Sequence, residues 1–263
     1  MRDDKCYTCG RSNPGLWGFA PLLRQLGTDL GFVPLVITTS GVLYMLTLLM
    51  SGNELQTAPG GLNFLVPGQH ALELFGMTGW YPVFFYGRWW TLLSASWLHG
   101  GALHILFNMM WVRDLGPALA DIIGPSRTVI IYTVAGFCGF LLSSTIPFVS
   151  PALGAPYTMG ASASVFGLLG ALVHYGRKSG SSLIHGQAMY YAIILFVMGF
   201  ALHGVDNFAH AGGFAGGYAT SAFFNPLTRE RGDHMIAAML CLAATFLAIA
   251  YSVIHGLSVG LYR

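Results

Sequence analysis

The sequence predicts an all-α membrane protein that crosses the bilayer several times. Only 8% of its 263 residues are charged, whereas a soluble domain carries about 25%. The hydrophobic residues, 54% of the chain, fall into seven blocks near the ~20 residues that a helix needs to span a bilayer. Because backbone groups in lipid need internal hydrogen-bond partners, each block is predicted to be a helix. The predicted spans are 32–50, 101–120, 128–149, 159–176, 187–203, 206–224 and 235–259.

The positions of the basic residues predict the orientation of these spans. With the N-terminus in the cytoplasm, ten of the twelve Lys and Arg residues lie inside and only Arg88 and Arg263 lie outside. This is the bias of the positive-inside rule. The ten inside residues are Arg2, Lys5, Arg11, Arg24, Arg113, Arg127, Arg177, Lys178, Arg229 and Arg231.

The first 31 residues precede the first apolar block, so we expect no cleavable signal peptide. Residues 14–31 mix bulky apolar side chains with Arg24 and Gln25, which indicates a short amphipathic segment at the membrane surface or a loosely ordered linker. Cys6 and Cys9 form a C-x-x-C that resembles one knuckle of a zinc ribbon. A structural zinc takes four protein ligands, so zinc would need a dimer or a partner, and a free or redox-active pair is the alternative.

The long segment between the first two spans, residues 51–99, is predicted to lie outside. It is rich in Gly and Pro and carries many aromatic residues, which favour the membrane interface. Because it is too long for a simple connector, we expect it to be partly inserted in the outer leaflet. Two successive glycines, Gly100 and Gly101, weaken a helix, so the second span is predicted to begin at Gly101.

Two residues that are costly in lipid, Ser162 and His210, lie near the outer ends of the fourth and sixth spans. Both spans run from outside to inside, so the two side chains lie at a similar depth of ~5–6 Å. An ionisable residue within a span indicates a functional site, and a serine beside an imidazole can form a nucleophile and its general base. A serine in a span more often serves packing or bonds to its own helix, so only the joint pattern indicates a serine hydrolase.

The other groups that acyl transfer needs are also present. His104 and Asn108 share one face of the second span at the depth of Ser162. Together with the Ser162 backbone amide, they are predicted to donate hydrogen bonds to a tetrahedral oxyanion. No carboxylate is placed to orient His210, so we expect a dyad. Phe166, one turn below Ser162, is predicted to pack against the imidazole.

Glycines recur in the fourth and sixth spans, which indicates that these two helices pack closely. The residues concerned are Gly160, Gly167, Gly170, Gly213 and Gly217. Outside the dyad, His99 is expected to brace the start of the second span. His203 and Asp206 are expected to make local hydrogen bonds.

The chain resembles the rhomboid intramembrane serine proteases. The resemblance is carried by His99-x4-His104-x3-Asn108, by Gly160-x-Ser162 and by Ala209-His210-x-x-Gly213-x-x-x-Gly217, in that order. It covers about residues 32–225. It implies Ser162 as nucleophile, His210 as base, His104 and Asn108 in the oxyanion hole, and a six-helix core with a water-filled cavity open to the outside. The last span resembles the extra seventh helix of some members.

The sequence departs from the family at two points. Ala163 follows the serine where glycine is frequent, which is a mild change. The first loop often carries Trp-Arg just before the second span, whereas this chain has Arg88-Trp89-Trp90. The displaced arginine bears on the fine structure of the loop more than on catalysis.

These observations predict three parts and one activity. The parts are a cytoplasmic segment over 1–31, a protease core over 32–225, and a seventh helix with a short tail over 226–263. The predicted activity is hydrolysis of peptide bonds in or beside the transmembrane segments of other proteins in the bilayer, without metal or organic cofactor. A non-catalytic rhomboid-like protein that binds membrane clients is the main alternative, and a transporter is another.

The sequence also bears on partners and location. There is no nucleotide-binding loop and no basic patch for nucleic acid. The absence of an organelle-targeting segment favours a bacterial inner membrane, with the active site opening to the outer side.

Overall fold

The computed structural model describes residues 28–56, 64–202 and 204–260, and within these ranges every regular element is helical apart from two isolated bridges. Cys6 and Cys9 lie outside the described residues, as do His203 and nearly all of the predicted amphipathic segment. The helices are α1 (Phe32–Leu49), α2 (Gln69–Phe75), α3 (Thr91–Ser94), α4 (Ala102–Ile123), α5 (Pro125–Thr145), α6 (Ser162–Ser179), α7 (Ser182–Ala201), α8 (Asn207–Phe223) and α9 (Gly232–Ser258).

Within the described ranges, seven long helices lie where the apolar blocks predict them, to within five residues at either end. By length and composition, four stretches of the described residues can cross a membrane: Phe32–Leu49, Pro125–Phe148, Ser182–Ala201 and Gly232–Ser258. The remaining long helices α4, α6 and α8 carry the polar candidates. The chain is therefore an all-helical, multi-pass membrane protein.

Helix α6 lies at the centre of the molecule. Every residue from Ala163 to Val173 is buried, because α5, α7 and α8 pack around it. By contrast, α7 buries only Ala188, Ala192 and Gly199. A helix enclosed on all sides can hold a polar side chain in a fixed position away from lipid, and Ser162 is the first residue of α6.

The predicted outer loop has internal structure that the sequence did not indicate. Helix α2 is followed by a π-helical turn over Tyr81–Phe85, by α3, and by a 3₁₀ turn over Ala95–Trp97. Phe85 and Trp89 remain 67% and 48% exposed, as expected for a segment inserted in the outer leaflet.

The displaced arginine of this loop is buried. Arg88 donates from Nη2 to the Glu73 carbonyl oxygen at 2.7 Å. Burial lowers the pKa of its guanidinium, and the nearby charge of Glu73 opposes that shift. Arg88 therefore joins α2 to the segment that precedes α3.

Candidate active site

The Ser162 turn is fixed by a glycine and by two hydrogen bonds that backbone amides donate. Gly160 has a φ of +125°, a conformation that side chains with a Cβ rarely adopt. The Gly160 amide donates to the Ala95 carbonyl at 3.0 Å. The Ala161 amide donates to His99 Nε2 at 3.4 Å. Ser162 then begins α6, where the first backbone amides of the helix have no partner within the helix.

His210 lies in the first turn of α8 and is only 6% exposed. Its ring stacks on Phe166 with centroids 4.2 Å apart and planes 16° apart. Phe166 and Ser162 are one turn apart on α6, so the imidazole lies on the face of α6 that carries the serine. Among the described residues no hydrogen bond joins Ser162 to His210, and His210 Nδ1 is buried without a partner. In unliganded sites, such catalytic hydrogen bonds are often long.

The start of α8 is held by Asp206, whose local role the sequence indicated. Its carboxylate caps the helix by accepting from the Ala209 amide at 3.0 Å. It also accepts from the Ser143 hydroxyl of α5 at 2.5 Å. The carboxylate thus fixes the helix end one turn before His210, although it makes no hydrogen bond to the imidazole ring. The contact with Ser143, 63 residues away, has no signal in the sequence.

Close packing of α6 and α8 depends on the predicted glycines. A Cβ on Gly213 would lie 2.8 Å from the Ala163 carbonyl carbon and closer still to its oxygen. A Cβ on Gly217 would meet the backbone of Gly167. Because backbone atoms cannot move aside as a flexible side chain can, only glycine allows the two helices to approach this closely.

His104 faces the same small space as Ser162. A Cβ placed on Gly160 would lie 2.6 Å from His104 Nε2 and 3.8 Å from Ser162 Oγ. His104 Nδ1 accepts from the Gly100 amide at 3.2 Å, so the proton of the neutral ring is on Nε2. The side chain therefore presents a hydrogen-bond donor beside the serine, as an oxyanion hole requires.

Asn108 is buried on α4, but its contact differs from the expected one. Its amide nitrogen donates to the His104 carbonyl at 2.8 Å, one turn back on the same helix. An asparagine amide has two N–H donors, so one remains for another acceptor. The structure therefore gives Asn108 a bond that supports the His104 turn, and its role as an oxyanion donor stays a prediction.

His99 contacts two parts of the site, the His104 ring and the turn before Ser162. It is fully buried, and its ring lies edge-on to His104 with centroids 5.2 Å apart. Because Nε2 accepts from the Ala161 amide, the imidazole connects the residues before α4 to the turn that precedes Ser162. The sequence indicated that His99 braces the start of α4. The structure shows that it also bonds to Ala161, which lies in a different segment, just before α6.

An apolar cavity of about 210 Å³ adjoins His210 between α6, α7 and α8. Phe166, His210 and Phe214 form one side, and five apolar side chains of α7 form the other. Within the described part of the chain, no group of three or more His, Cys, Asp or Glu residues could hold a metal ion. The arrangement combines a hydroxyl, an imidazole and a neighbouring N–H donor with an apolar cavity.

Comparison with known proteins identifies the family to which the sequence is similar. Residues 86–227 match the family model for the Rhomboid domain. RHOMBOID-like protein 7 of Arabidopsis thaliana is 36% identical over 165 residues, which cover 59% of this chain and 49% of that protein. Rhomboid protease GluP of Bacillus subtilis is 33% identical over 162 residues, 60% of this chain and 30% of GluP.

A third relative, Inactive RHOMBOID-like protein 8 of Arabidopsis thaliana, is 30% identical over 155 residues, which cover 57% of this chain and 42% of that protein. The matched part of this chain thus spans about half or less of the length of each of these relatives.

Proposed function

The chain belongs to the rhomboid family, and on that premise we propose that it is a serine endopeptidase that cuts peptide bonds in or beside transmembrane segments. The observation that carries this proposal is that Ser162, His210 and His104 lie in one place. His210 stacks on Phe166, one turn below Ser162, and His104 Nε2 faces the same glycine as Ser162 Oγ. A nucleophile, a base and an oxyanion donor are the groups that acyl transfer needs.

In the proposed reaction, the Ser162 oxygen attacks the scissile carbonyl carbon while its proton passes to His210. The carbonyl electrons move to oxygen, and the His104 N–H, the free Asn108 side-chain N–H and the Ser162 amide stabilise that charge. When the C–N bond breaks, His210 returns the proton to the leaving amine. A water molecule then attacks the Ser162 ester with His210 as base, which releases the acid and restores the serine.

The proposed topology has seven spans with the N-terminus in the cytoplasm and the site opening to the outer side. Exposed aromatic residues of the outer loop, such as Phe85 and Trp89, support its insertion in the outer leaflet. We place the protein in a cell inner membrane, with an organellar membrane as the alternative, since one relative is named mitochondrial. The division into residues 1–31, 32–225 and 226–263 belongs to the same proposal.

The proposed substrates are membrane proteins whose helix can unwind at the cut site. A carbonyl within a helix is already hydrogen-bonded, so small, helix-breaking residues near the scissile bond should favour cleavage. The apolar cavity beside His210 suits an apolar side chain of such a substrate. Equal cleavage of a stable poly-leucine span would contradict this preference.

A fluorophosphonate probe, which reacts with an activated serine, tests the proposal. Purified wild-type protein should be labelled, and Ser162→Ala should not. Ser179→Ala is the matched control, because Ser179 lies exposed at the other end of α6, and it should be labelled as the wild type is. Folded wild-type protein that resists the probe would favour the client-binding alternative. One similar protein is named inactive, which is the reason for testing this alternative.

A further inference from the structure

The last helix lies outside the region that matches the family model, which ends at residue 227. We infer that α9 positions the catalytic turn through a contact between Ser252 and Trp90 of the outer loop. This inference rests on the proposed protease function. It assigns to Trp90 and Ser252 a positioning role, since neither residue touches the reacting groups.

The contact between α9 and the outer loop is a specific hydrogen bond. Trp90 Nε1 donates to Ser252 Oγ at 2.8 Å, across 162 residues of sequence. Ser252 has no exposed surface. The indole also lies edge-on to Tyr251 and His255, with centroids 4.5 and 5.2 Å apart. A buried indole N–H usually has a hydrogen-bond acceptor, and Ser252 supplies it here.

Ser252 differs in its bonding from the other serine and threonine residues of α9. The Thr245 hydroxyl donates to the Cys241 carbonyl, and the Ser258 hydroxyl donates to the His255 carbonyl. Such bonds to the same helix are the ordinary state of these residues in a span. Ser252 instead accepts from another segment of the chain, so its hydroxyl is used for a contact between elements.

A glycine lets α9 approach this closely. Gly76 ends α2 with a φ of +102°, and a Cβ there would lie 2.7 Å from Ser252 Oγ. The Ser94 hydroxyl of α3 donates to the Gly76 carbonyl at 2.8 Å. The end of α2, the helix α3 and the helix α9 therefore meet at Gly76, where a residue larger than glycine does not fit.

The segment that begins at Trp90 reaches the catalytic turn. It runs through α3 into the 3₁₀ turn Ala95–Trp97, and the Ala95 carbonyl accepts from the Gly160 amide at 3.0 Å. The Ser164 hydroxyl of α6 donates to the Ser96 hydroxyl at 3.3 Å. One short helical segment thus contacts α9 at its start and both sides of Ser162 at its end.

The neighbouring tryptophan shows that the contact is selective. Trp89 is 48% exposed and packs on Phe84 within the outer loop, as expected for a residue at the membrane interface. Trp90 points instead to α9. The Arg-Trp-Trp order of this chain therefore provides one tryptophan for the interface and a second for the seventh helix.

The test compares Ser252→Ala and Trp90→Phe with the matched control Ser258→Ala, which removes a hydroxyl from α9 away from the loop. Each variant is assayed, at a temperature where it remains folded, for cleavage of a single-span model substrate and for its rate of fluorophosphonate labelling. We expect kcat and the labelling rate to fall together by about five- to tenfold, the range for one buried hydrogen bond. KM should change little, and the double variant should be no worse than the poorer single variant.

Wild-type kcat and labelling rate in Ser252→Ala would overturn the inference while leaving the proposed function intact. A rise in KM alone would also overturn it, because it would assign the contact to substrate docking. Additive losses in the double variant would show that the two residues act independently. Failure of the wild type to label or cleave would instead refute the proposed function, on which the inference depends.

Discussion

The close approach of α6 and α8 at Gly213 allows a quantitative prediction for Gly213→Ala. The added Cβ would lie 2.8 Å from the Ala163 carbonyl carbon and 3.0 Å from its Cα, so the helices must separate by roughly 1 Å to reach an ordinary contact of about 3.5–4.0 Å. Overpacking of this kind costs about 1–3 kcal/mol. The better helix propensity of alanine recovers at most about 1 kcal/mol of this cost.

The effect on activity should exceed the effect on stability. Gly213 is one turn from His210 on α8, and Ala163 follows the proposed nucleophile. A displacement of about 1 Å between reacting groups can cost about 10²-fold in rate. We therefore expect Gly213→Ala to lower kcat by one to two orders of magnitude under conditions where the protein remains folded.

Gly186→Ala provides the control, because a Cβ at this exposed position of α7 meets nothing within 4 Å. It should retain wild-type cleavage and gain up to about 1 kcal/mol in stability. The assay is steady-state cleavage of a single-span substrate in detergent, with thermal unfolding of both variants. Wild-type kcat in Gly213→Ala would refute the reasoning that this glycine sets the distance between Ser162 and His210.

Three further predictions concern the ring stack, a buried arginine and an outer-loop ion pair. Phe166→Leu removes the stack on His210, which is worth about 0.5–1.5 kcal/mol, so kcat should fall about two- to tenfold while Phe166→Tyr keeps it. Arg127→Lys removes the planar fork that donates to the Thr228 and Arg229 carbonyls. The buried acceptors left unpaired should cost about 1–3 kcal/mol, seen as a lower unfolding temperature with no change in labelling rate per folded molecule. The hydrogen bond with His70 lowers the pKa of Glu54, so its contribution to stability is present above the ordinary carboxyl pKa and lost as pH falls through the lowered value. Wild type should therefore exceed Glu54→Gln slightly in unfolding temperature at pH 5, and the difference should disappear as pH falls through the lowered pKa of the Glu54 carboxyl.

The sequence predicted the long helices and the packing of Phe166 against His210 because both depend on local patterns. Apolar blocks of span length mark helices, and Gly100 with Gly101 marks the break before α4, which begins at Ala102. The stack of Phe166 on His210 follows from spacing along two helices that glycines bring together. Such features need only the period of a helix and the preferences of the residues.

Other features depend on contacts between distant segments, which no local pattern contains. The bond from Trp90 to Ser252 joins residues 162 positions apart. Arg127, which the charge pattern marks only as an inside residue, is 1% exposed and donates to the carbonyls that precede α9. The contact of Asn108 with the His104 carbonyl depends on a rotamer, which the spacing of residues does not specify.

Cleavage in proteoliposomes tests the central claim, that Ser162 and His210 act as nucleophile and base, most directly. Wild-type protein, Ser162→Ala and His210→Ala would each be reconstituted with a single-span substrate that carries small residues near its outer end. The proposal predicts cutting by the wild type and none by either variant, with unfolding temperatures showing that both variants are folded. Cutting that persists in folded Ser162→Ala would contradict the claim.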